Sequence, residues 1–291
     1  MKIKSIRFLL ISLLLICAYP LGLLAEPAMW RVERDESTLY LFGTFHRLPE
    51  EVDWLSPERE EVLRNSSTLV LETIKSQTGK EIKTFLSQNL GIAISRIPLN
   101  LKLEQDTYNV LKEQMEAYGV SEAAFNRYQP WYAATLLTRL GGEEVGFYSE
   151  FGVESVLQAQ AEKTGKRLIA LETAAQQLLF LADLPNETQV EMLQQTILAW
   201  GEFEEIYRIM FEAWIAGDIE TTEQLVLEPL KTLPPMYQVL IKNRNTAWLE
   251  PLEDLLSQKG VHFVAVGTGH LVGPDSLIKL FEEKGYRVVR Q

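Results

Sequence analysis

The sequence is poor in cysteine and histidine, two residue types that often supply nucleophiles and metal ligands. Its 291 residues include one cysteine, Cys17, and three histidines. Cys17 lies in an apolar N-terminal segment that we expect to be removed, so the remaining chain would carry no thiol. This excludes disulfide bonds, a thiolate nucleophile and a thiolate metal site in the mature protein.

Basic residues are also few relative to acidic ones. The chain has 28 Lys and Arg against 40 Asp and Glu, which gives a formal net charge of −12. A surface with this balance repels nucleic acid and anionic lipid. Long apolar runs are missing after the N-terminal segment, so we expect no nucleic-acid partner and no membrane span beyond that segment.

Residues 1–25 have the pattern of a secretory signal peptide. Three basic residues within the first seven positions precede the apolar run FLLISLLLICAYPLGLL, and Ala25 is a small residue before the predicted cleavage point. We therefore predict an exported protein, periplasmic or secreted, with residues 26–291 as its mature part. We also predict that the segment is a separate helix that packs poorly on the body. The alternative is that it stays uncleaved and anchors the chain.

Six short runs rich in Val, Leu, Ile, Phe and Tyr predict strands that are buried on both faces. These are MWRVERD (29–35), STLYLFGT (37–44), STLVLETI (67–74), KRLIALET (166–173), VHFVAVGT (261–268) and YRVVRQ (286–291). Helical patterns lie between them, and residues 174–257 show no strand pattern. We predict an α/β (α+β) fold, in which a mixed, mostly buried sheet is flanked by helices, with a helical insertion (174–257) before the last strands and a single domain over residues 26–291.

Two of the three histidines share one context. In LYLFGTFH and VAVGTGH an apolar run reaches a glycine, Gly43 or Gly267, and a histidine follows three residues later, His46 or His270. Glycine would let the chain leave the strand sharply, with dihedral angles closed to other residues, and would let backbone approach a ligand. We expect the His270 ring at the mouth of a site rather than in the packed core.

Glu72 and Glu172 follow two further predicted strands. Ligands of sheets covered by helices bind outside the carboxyl ends of the strands, so these carboxylates are expected to meet His46 and His270. Two imidazoles with one or two carboxylates form a ligand set for Zn²⁺, Mn²⁺, Fe²⁺ or Co²⁺. The alternatives are that each histidine is an ordinary surface or capping residue and that each glutamate caps the next helix or forms a local salt bridge. His262, at a strand start, is interpreted as structural.

Other catalytic signatures are missing from the sequence. It contains no HExxH, no GxSxG, no P-loop and no GxGxxG after a strand. Five aromatic residues recur at helical spacing and predict a packed core, with a substrate-facing groove as the alternative. They are Trp200, Phe203, Tyr207, Phe211 and Trp214.

Six segments together resemble the TraB/PrgY/GumN family, which shares a superfamily with the Tiki metalloproteases. They are LFGTFHRLP, LVLET, QPW, FGVESVLQAQAEKTGKRLIALET, KNRNTAWLEPLEDLL and HFVAVGTGHLVGPDSLIKLFEEKGYRV. The resemblance extends from about Ala28 to Arg290 and rests on the order and spacing of all six. It implies a fold similar to that of erythromycin esterase and ChaN-like proteins.

The resemblance also implies a metal site and its ligands. The two GxxH motifs of the Tiki branch match Gly43–His46 and Gly267–His270, and the essential glutamate matches Glu72. His46, Glu72 and His270 are thereby implied to hold a divalent metal, with Mn²⁺ or Co²⁺ favoured and Zn²⁺ or Fe²⁺ as alternatives. The Arg-Asn pair of the family matches Arg244 and Asn245.

On this basis we predict a divalent-metal-dependent, peptidase-like hydrolase with a peptide or small-molecule substrate. Glu72, Arg244 and Glu172 are the predicted catalytic residues. Residues predicted to bind substrate or support the ligands are Gly43, Thr44, Glu154, Asn245, Gly267 and Thr268. The alternative functions are a non-catalytic periplasmic protein that sequesters a peptide or other ligand, and a protein that handles metal or haem.

Overall fold

The computed structural model describes residues 26–291, apart from the side chains of residues 75–81. The predicted signal segment and its predicted separate helix, residues 1–25, lie outside the described residues. Export of the chain, and the extent of the single domain, therefore stay predictions.

Within the described residues, six strands form one mixed sheet, and all six predicted runs contribute a strand. The strands are β1 (Met29–Arg34), β2 (Ser37–Thr44), β3 (Thr68–Leu71), β4 (Arg167–Ala170), β5 (Gly260–Gly267) and β6 (Arg287–Arg290). Their spatial order is β4-β3-β5-β2-β1-β6. The first four in that order run parallel, β1 is antiparallel to β2, and β6 is antiparallel to β1 at the edge of the sheet. The predicted mixed α/β fold is confirmed.

Helices cover the sheet and fill the long segment before β5. They are α1 (Pro57–Asn65), α2 (Lys75–Gln88), α3 (Gln105–Ala117), α4 (Glu122–Phe125), α5 (Pro130–Glu144), α6 (Val153–Thr164), α7 (Ala174–Ala182), α8 (Asn186–Leu198), α9 (Phe203–Ile215), α10 (Ile219–Lys231), α11 (Pro234–Tyr237), α12 (Asn243–Leu256) and α13 (Leu277–Glu283). Helices α7 to α12 occupy the predicted helical insertion, residues 174–257. In the described part of the chain, no helix has the length and apolar character needed to cross a membrane.

The apolar runs are continuous because both faces of the sheet are covered. Along β5, Val264 and Val266 pack on one face with α12 and α13, while Phe263 and Ala265 pack on the other with α1, α6 and α9. All four side chains have no exposed surface. Burying such a side chain contributes about 1.5–3 kcal/mol for the larger residues, so both layers stabilise the sheet.

The parallel order brings the carboxyl ends of four strands to one edge. Thr44 at the end of β2 pairs with Gly267 at the end of β5. Leu71, the last residue of β3, pairs with Ala265 on one side and Ala170 on the other. Residues that follow these strands therefore emerge next to one another, where open sheets of this kind bind ligands.

Candidate functional site

The residues that the sequence singles out meet at this edge. Glu72 directly follows β3, Glu172 follows β4 by two residues, and His46 follows β2 by two residues. His270 ends a single helical turn, Thr268–His270, immediately after β5. His262 lies near the start of β5, at the opposite end of that strand.

Glu72 lies at the centre of the arrangement. Its Oε1 accepts a hydrogen bond from the Gly267 amide at 2.7 Å, and its Oε2 accepts from Arg244 Nη2 at 2.5 Å and Gln177 Nε2 at 3.1 Å. Burial raises the pKa of Glu72, but the Arg244 guanidinium and the imidazoles of His270 and His46 outweigh burial and hold this pKa below its usual value. The group is therefore a carboxylate at neutral pH.

His270 is a buried, neutral imidazole of one tautomer. Asn245 donates through Nδ2 to the carbonyls of His270 and Asp275, so its Oδ1 faces the ring as an acceptor, 2.7 Å from Nδ1. Burial lowers the pKa of His270 to about 3. The proton therefore sits on Nδ1, and the Nε2 lone pair lies 3.8 Å from Glu72 Oε1 and 3.0 Å from Arg244 Nη1.

The expected position of the His270 ring is wrong in one respect. The residue lines a cavity, but only 4% of its surface is exposed. Its ring packs on Trp248, with 4.4 Å between the ring centroids. The single helical turn after β5 directs the ring back over α12 instead of outward.

His46 is held through its Nδ1 and left open at its other side. Glu154, in the first turn of α6, places Oε1 2.5 Å from His46 Nδ1, and the same oxygen accepts from Thr44 Oγ1 at 2.5 Å. The Glu154 carboxylate raises the pKa of His46. The His46 side chain is 62% exposed while that of Glu154 is only 10% exposed, so water partly screens the pair.

Arg244 links the two buried glutamates. Its Nε and Nη2 bind the two oxygens of Glu172, each at 2.9 Å, in a bidentate pair, while Nη2 also contacts Glu72. The guanidinium carbon lies 4.7 Å from the Trp248 ring centroid, and Trp248 Nε1 donates to Glu172 at 3.0 Å. A turn of π-helix, Gln238–Lys242, leads into α12 just before Arg244. Bulges of this kind are frequent at functional sites.

The alternative in which the glutamates cap helices is not observed. Thr173 is the N-cap of α7, where its side chain and that of Gln176 form a capping box. Helix α2 has Ile74 at its N-cap position and no side-chain cap. Neither Glu72 nor Glu172 caps a helix, and both bind Arg244 instead.

The two glycines are required for space, and the expected unusual dihedral angles are not found. Gly267 has φ −49° and ψ 136°, which other residues adopt, and Gly43 is not among the glycines with positive φ. A Cβ at Gly267 would lie 3.0 Å from His46 Nε2 and 3.2 Å from Glu72 Oε1. At Gly43 a Cβ would collide with Thr268 Oγ1. At Gly43 the Thr268 side chain would have to move, whereas at Gly267 the side chains of the site would have to shift by a few tenths of an ångström.

A cavity of about 470 Å³ opens beside His46, Arg244 and His270. Three of the five aromatic residues at helical spacing, Phe203, Tyr207 and Trp214, line it. Phe203 and Trp214 are at the same time buried in the core, and Trp214 Nε1 donates to the Gly43 carbonyl at 2.9 Å. Core and groove are therefore not exclusive interpretations of this aromatic pattern.

Sequence reasoning missed two members of the site. Trp248 follows Arg244 by four residues, and this spacing places both side chains on one face of α12, so a signal was present. Gln177 binds Glu72 and Glu172 from α7, and nothing in its local sequence marks it.

The types of donor atom at the site suit a divalent cation, but their arrangement suits it less well. Two imidazoles whose Nδ1 atoms are held by Glu154 and Asn245, with a carboxylate between them, have the character of metal ligands and their supporting groups. In residues 26–291, however, no three His, Cys, Asp or Glu side chains are grouped as a metal site. Arg244 Nη1 occupies the His270 lone pair, so a cation there requires that this hydrogen bond break.

Comparison with known proteins identifies the family. The model of the TraB/PrgY/gumN family matches residues 28–290. The chain belongs to the TraB/PrgY/gumN family. In this family member, the matched region contains the whole sheet and every residue of the site described above.

The relatives found by sequence are distant but nearly full-length. The chain is 24% identical over 238 residues to uncharacterized protein YbaP of Escherichia coli (strain K12), which covers 82% of this chain and 85% of that protein, and it matches YbaP of Shigella flexneri equally. An uncharacterized protein of Treponema pallidum (strain Nichols) is 22% identical over 281 residues, covering 89% of this chain and 81% of that protein. No solved structure matches this TraB/PrgY/gumN family member.

Proposed function

We propose that this protein is an exported, divalent-metal-dependent hydrolase that acts on peptide bonds. The ligands would be His46 Nε2, Glu72 Oε1 and His270 Nε2, with Mn²⁺ or Co²⁺ as the favoured ion. The observation that supports this proposal is the convergence of both imidazoles on one carboxylate. The surroundings of Gly267 support it, because a Cβ placed on this glycine would lie 3.0 Å from His46 Nε2 and 3.2 Å from Glu72 Oε1.

The surrounding residues would keep the donors ready. Glu154 holds the His46 imidazole and Asn245 holds the His270 imidazole, each through Nδ1. In His270 the Nε2 atom then carries the lone pair. In His46 the Nε2 atom can carry a proton that competes with a metal ion. A cation at His46 would have to displace that proton, because Glu154 raises the pKa of His46. Such supporting groups orient ligands and increase their basicity.

A bound divalent ion supplies a polarised scissile carbonyl and a water of lowered pKa. Glu72, kept ionised by Arg244, would act as ligand or take the proton of the attacking water. Arg244 Nη1 faces the same centre and would donate to the oxyanion that develops on the carbonyl. Glu172 holds Arg244 through both oxygens and so fixes the direction of this donor.

The test compares metal binding and turnover in matched histidine variants. Wild-type protein, stripped with EDTA, is titrated with Mn²⁺ by calorimetry and then assayed on a peptide library with and without Mn²⁺. His270→Gln should lose both Mn²⁺ binding and turnover. His262→Gln is the control, since His262 is equally buried, 3% exposed, but lies at the other end of β5. Equal binding by both variants would contradict the proposal, and so would full turnover by the stripped wild type.

A second candidate function is sequestration of a peptide without hydrolysis. The contact between Arg244 Nη1 and His270 Nε2 favours it, because a guanidinium already occupies the lone pair that a metal would need. On this reading the wild-type protein binds apolar peptides in the cavity with equal affinity in EDTA and in Mn²⁺, and no cleaved peptide appears.

A further inference from the structure

The cavity beside the site has mostly apolar walls. One wall comes from α9 through Ile206 and Met210, another from α10 through Leu225 and Val226, and His46 and His270 close the end at the sheet. Its volume of about 470 Å³ lies inside the range of roughly 300–1,000 Å³ that is usual for ligand sites.

One cation on the cavity wall has an unused donor. Arg47 Nη1 is buried and makes no hydrogen bond within the described part of the chain. Its nearest anionic neighbour, Glu143 Oε1, is 3.7 Å away, and Glu143 is already bound by Arg139 at 2.8 Å. Because a buried donor without an acceptor is unfavourable, Arg47, which lines the cavity next to His46, would gain a hydrogen bond by turning Nη1 towards a carbonyl or carboxylate oxygen of a ligand there.

We propose that the cavity binds a large apolar side chain of a peptide substrate, adjacent to the bond that is cleaved, and that Arg47 donates to a carbonyl oxygen of the same peptide. This inference rests on the proposed hydrolase function for the identity of the ligand as a peptide. The apolar walls would select Phe, Leu or Met at that position. One missing methylene in such a pocket reduces specificity by about 10–200-fold, so Phe against Ser should differ by roughly 100-fold or more.

Two substitutions, one on α9 and one on α10, test the cavity against a matched control. Leu225→Trp and Ile206→Trp would fill it from α10 and from α9. Leu198→Trp makes the same change at a position that is 79% exposed on α8 and does not line the cavity. The full-length mature protein is titrated with the neutral apolar fluorophore N-phenyl-1-naphthylamine, after melting curves have shown that each variant is folded.

We expect wild type and Leu198→Trp to bind one fluorophore per chain, and the two cavity variants to bind it at least tenfold more weakly. A capped pentapeptide with a central Phe should displace the fluorophore about 100-fold better than its Ser counterpart. Arg47→Gln should weaken the Phe peptide about tenfold and leave fluorophore binding unchanged. Equal binding by the cavity variants and wild type would overturn the proposal, as would equal displacement by Phe and Ser peptides.

Two further outcomes separate this proposal from its premise. Displacement by myristate at lower concentration than by the Phe peptide would identify an acyl-chain site and overturn the peptide assignment. If Phe peptides bind as expected but remain uncleaved in Mn²⁺, the hydrolase function fails while the apolar peptide site stands. If they are cleaved, cleavage should occur next to Phe, Leu or Met in wild type and next to smaller residues in Leu225→Trp.

Discussion

Removal of Arg244 is the perturbation whose effect on the free energy of unfolding the structure specifies most closely. The guanidinium joins Glu72 and Glu172, and the three side chains are only 10%, 8% and 5% exposed. Deleting one partner of a buried ion pair costs about 3–5 kcal/mol, because the remaining charge is left uncompensated. Arg244→Ala leaves two such carboxylates, so we expect at least this loss out of a total stability of about 5–15 kcal/mol.

The melting temperature provides the assay. With about 2–4 °C per kcal/mol for a domain of this size, Arg244→Ala should lower Tm by about 6–20 °C in EDTA. The Tm of Arg244→Lys should lie between those of wild type and Arg244→Ala, since lysine keeps the charge but lacks the forked guanidinium that binds both oxygens of Glu172. Arg208→Ala is the control. Its side chain is 50% exposed and pairs with two surface glutamates, which contributes about 0–1 kcal/mol.

The same variants test the competition between Arg244 and a metal. Loss of the guanidinium frees His270 Nε2 and removes one of the two hydrogen bonds to Glu72 Oε2, so Mn²⁺ should raise the Tm of Arg244→Ala more than that of wild type. At a concentration of 100 times Kd, binding stabilises the folded state by about 2.7 kcal/mol. A Tm of Arg244→Ala within 2 °C of wild type in EDTA would refute the argument that this ion pair holds the site together.

Three more outcomes follow from single contacts. Gly267→Ala should fold normally but bind Mn²⁺ about tenfold or more weakly by calorimetry. Its Cβ would lie 3.0 Å from His46 Nε2, and overpacking costs about 1–3 kcal/mol. Gly201→Ala is the control, because a Cβ there meets nothing within 4 Å, and its Mn²⁺ affinity should equal that of wild type. His270→Ala should lower the free energy of urea unfolding by about 1–3 kcal/mol for the buried partners left unpaired, and an unchanged midpoint would contradict its burial. Asp218 caps α10, and the Thr221 hydroxyl is the main cause that lowers the pKa of this carboxyl. The carboxylate therefore stabilises the fold above the unfolded pKa of 3.8, and this stabilisation is lost as the pH falls through the lower folded pKa. The difference in Tm between wild type and Asp218→Ala should narrow below about pH 4.

Much of the sheet could be predicted from the sequence because its signals are local. Strands covered on both faces become continuous apolar runs, as in β5, where alternate residues enter two different cores. The ends of these runs also located Glu72 and His270, since a polar residue directly after a buried strand must leave the apolar layer. The start of α1 has a local signal of the same kind, since the Ser56 side chain caps the helix and Pro57 occupies its first position.

The partners within the site could not be predicted, because they come from distant segments. Arg244 binds Glu172 across 72 positions and Glu72 across 172, and no local pattern encodes such a pair. The cavity has the same origin, since α9 and α10 reach the edge of the sheet only through tertiary packing. The burial of His270 was misjudged for a related reason, as the direction of the turn after β5 depends on its packing against Trp248 of α12.

The two histidines follow parallel neighbouring strands at the same offset from a glycine, yet they end in different environments. Thr44 pairs with Gly267, so Gly43 and Gly267 are offset by one residue in the pairing of β2 with β5. The segments after the two strands therefore leave the sheet from different positions. His46 exits towards solvent and is backed by a carboxylate, while His270 turns inward and is backed by the neutral Asn245. One imidazole is therefore exposed and biased towards its protonated form, and the other is rigid, neutral and already hydrogen-bonded to Arg244. A cation or substrate at this edge would therefore contact His46 first. To bind His270 it would have to break the hydrogen bond between Arg244 and His270, so this bond is the barrier to binding at His270.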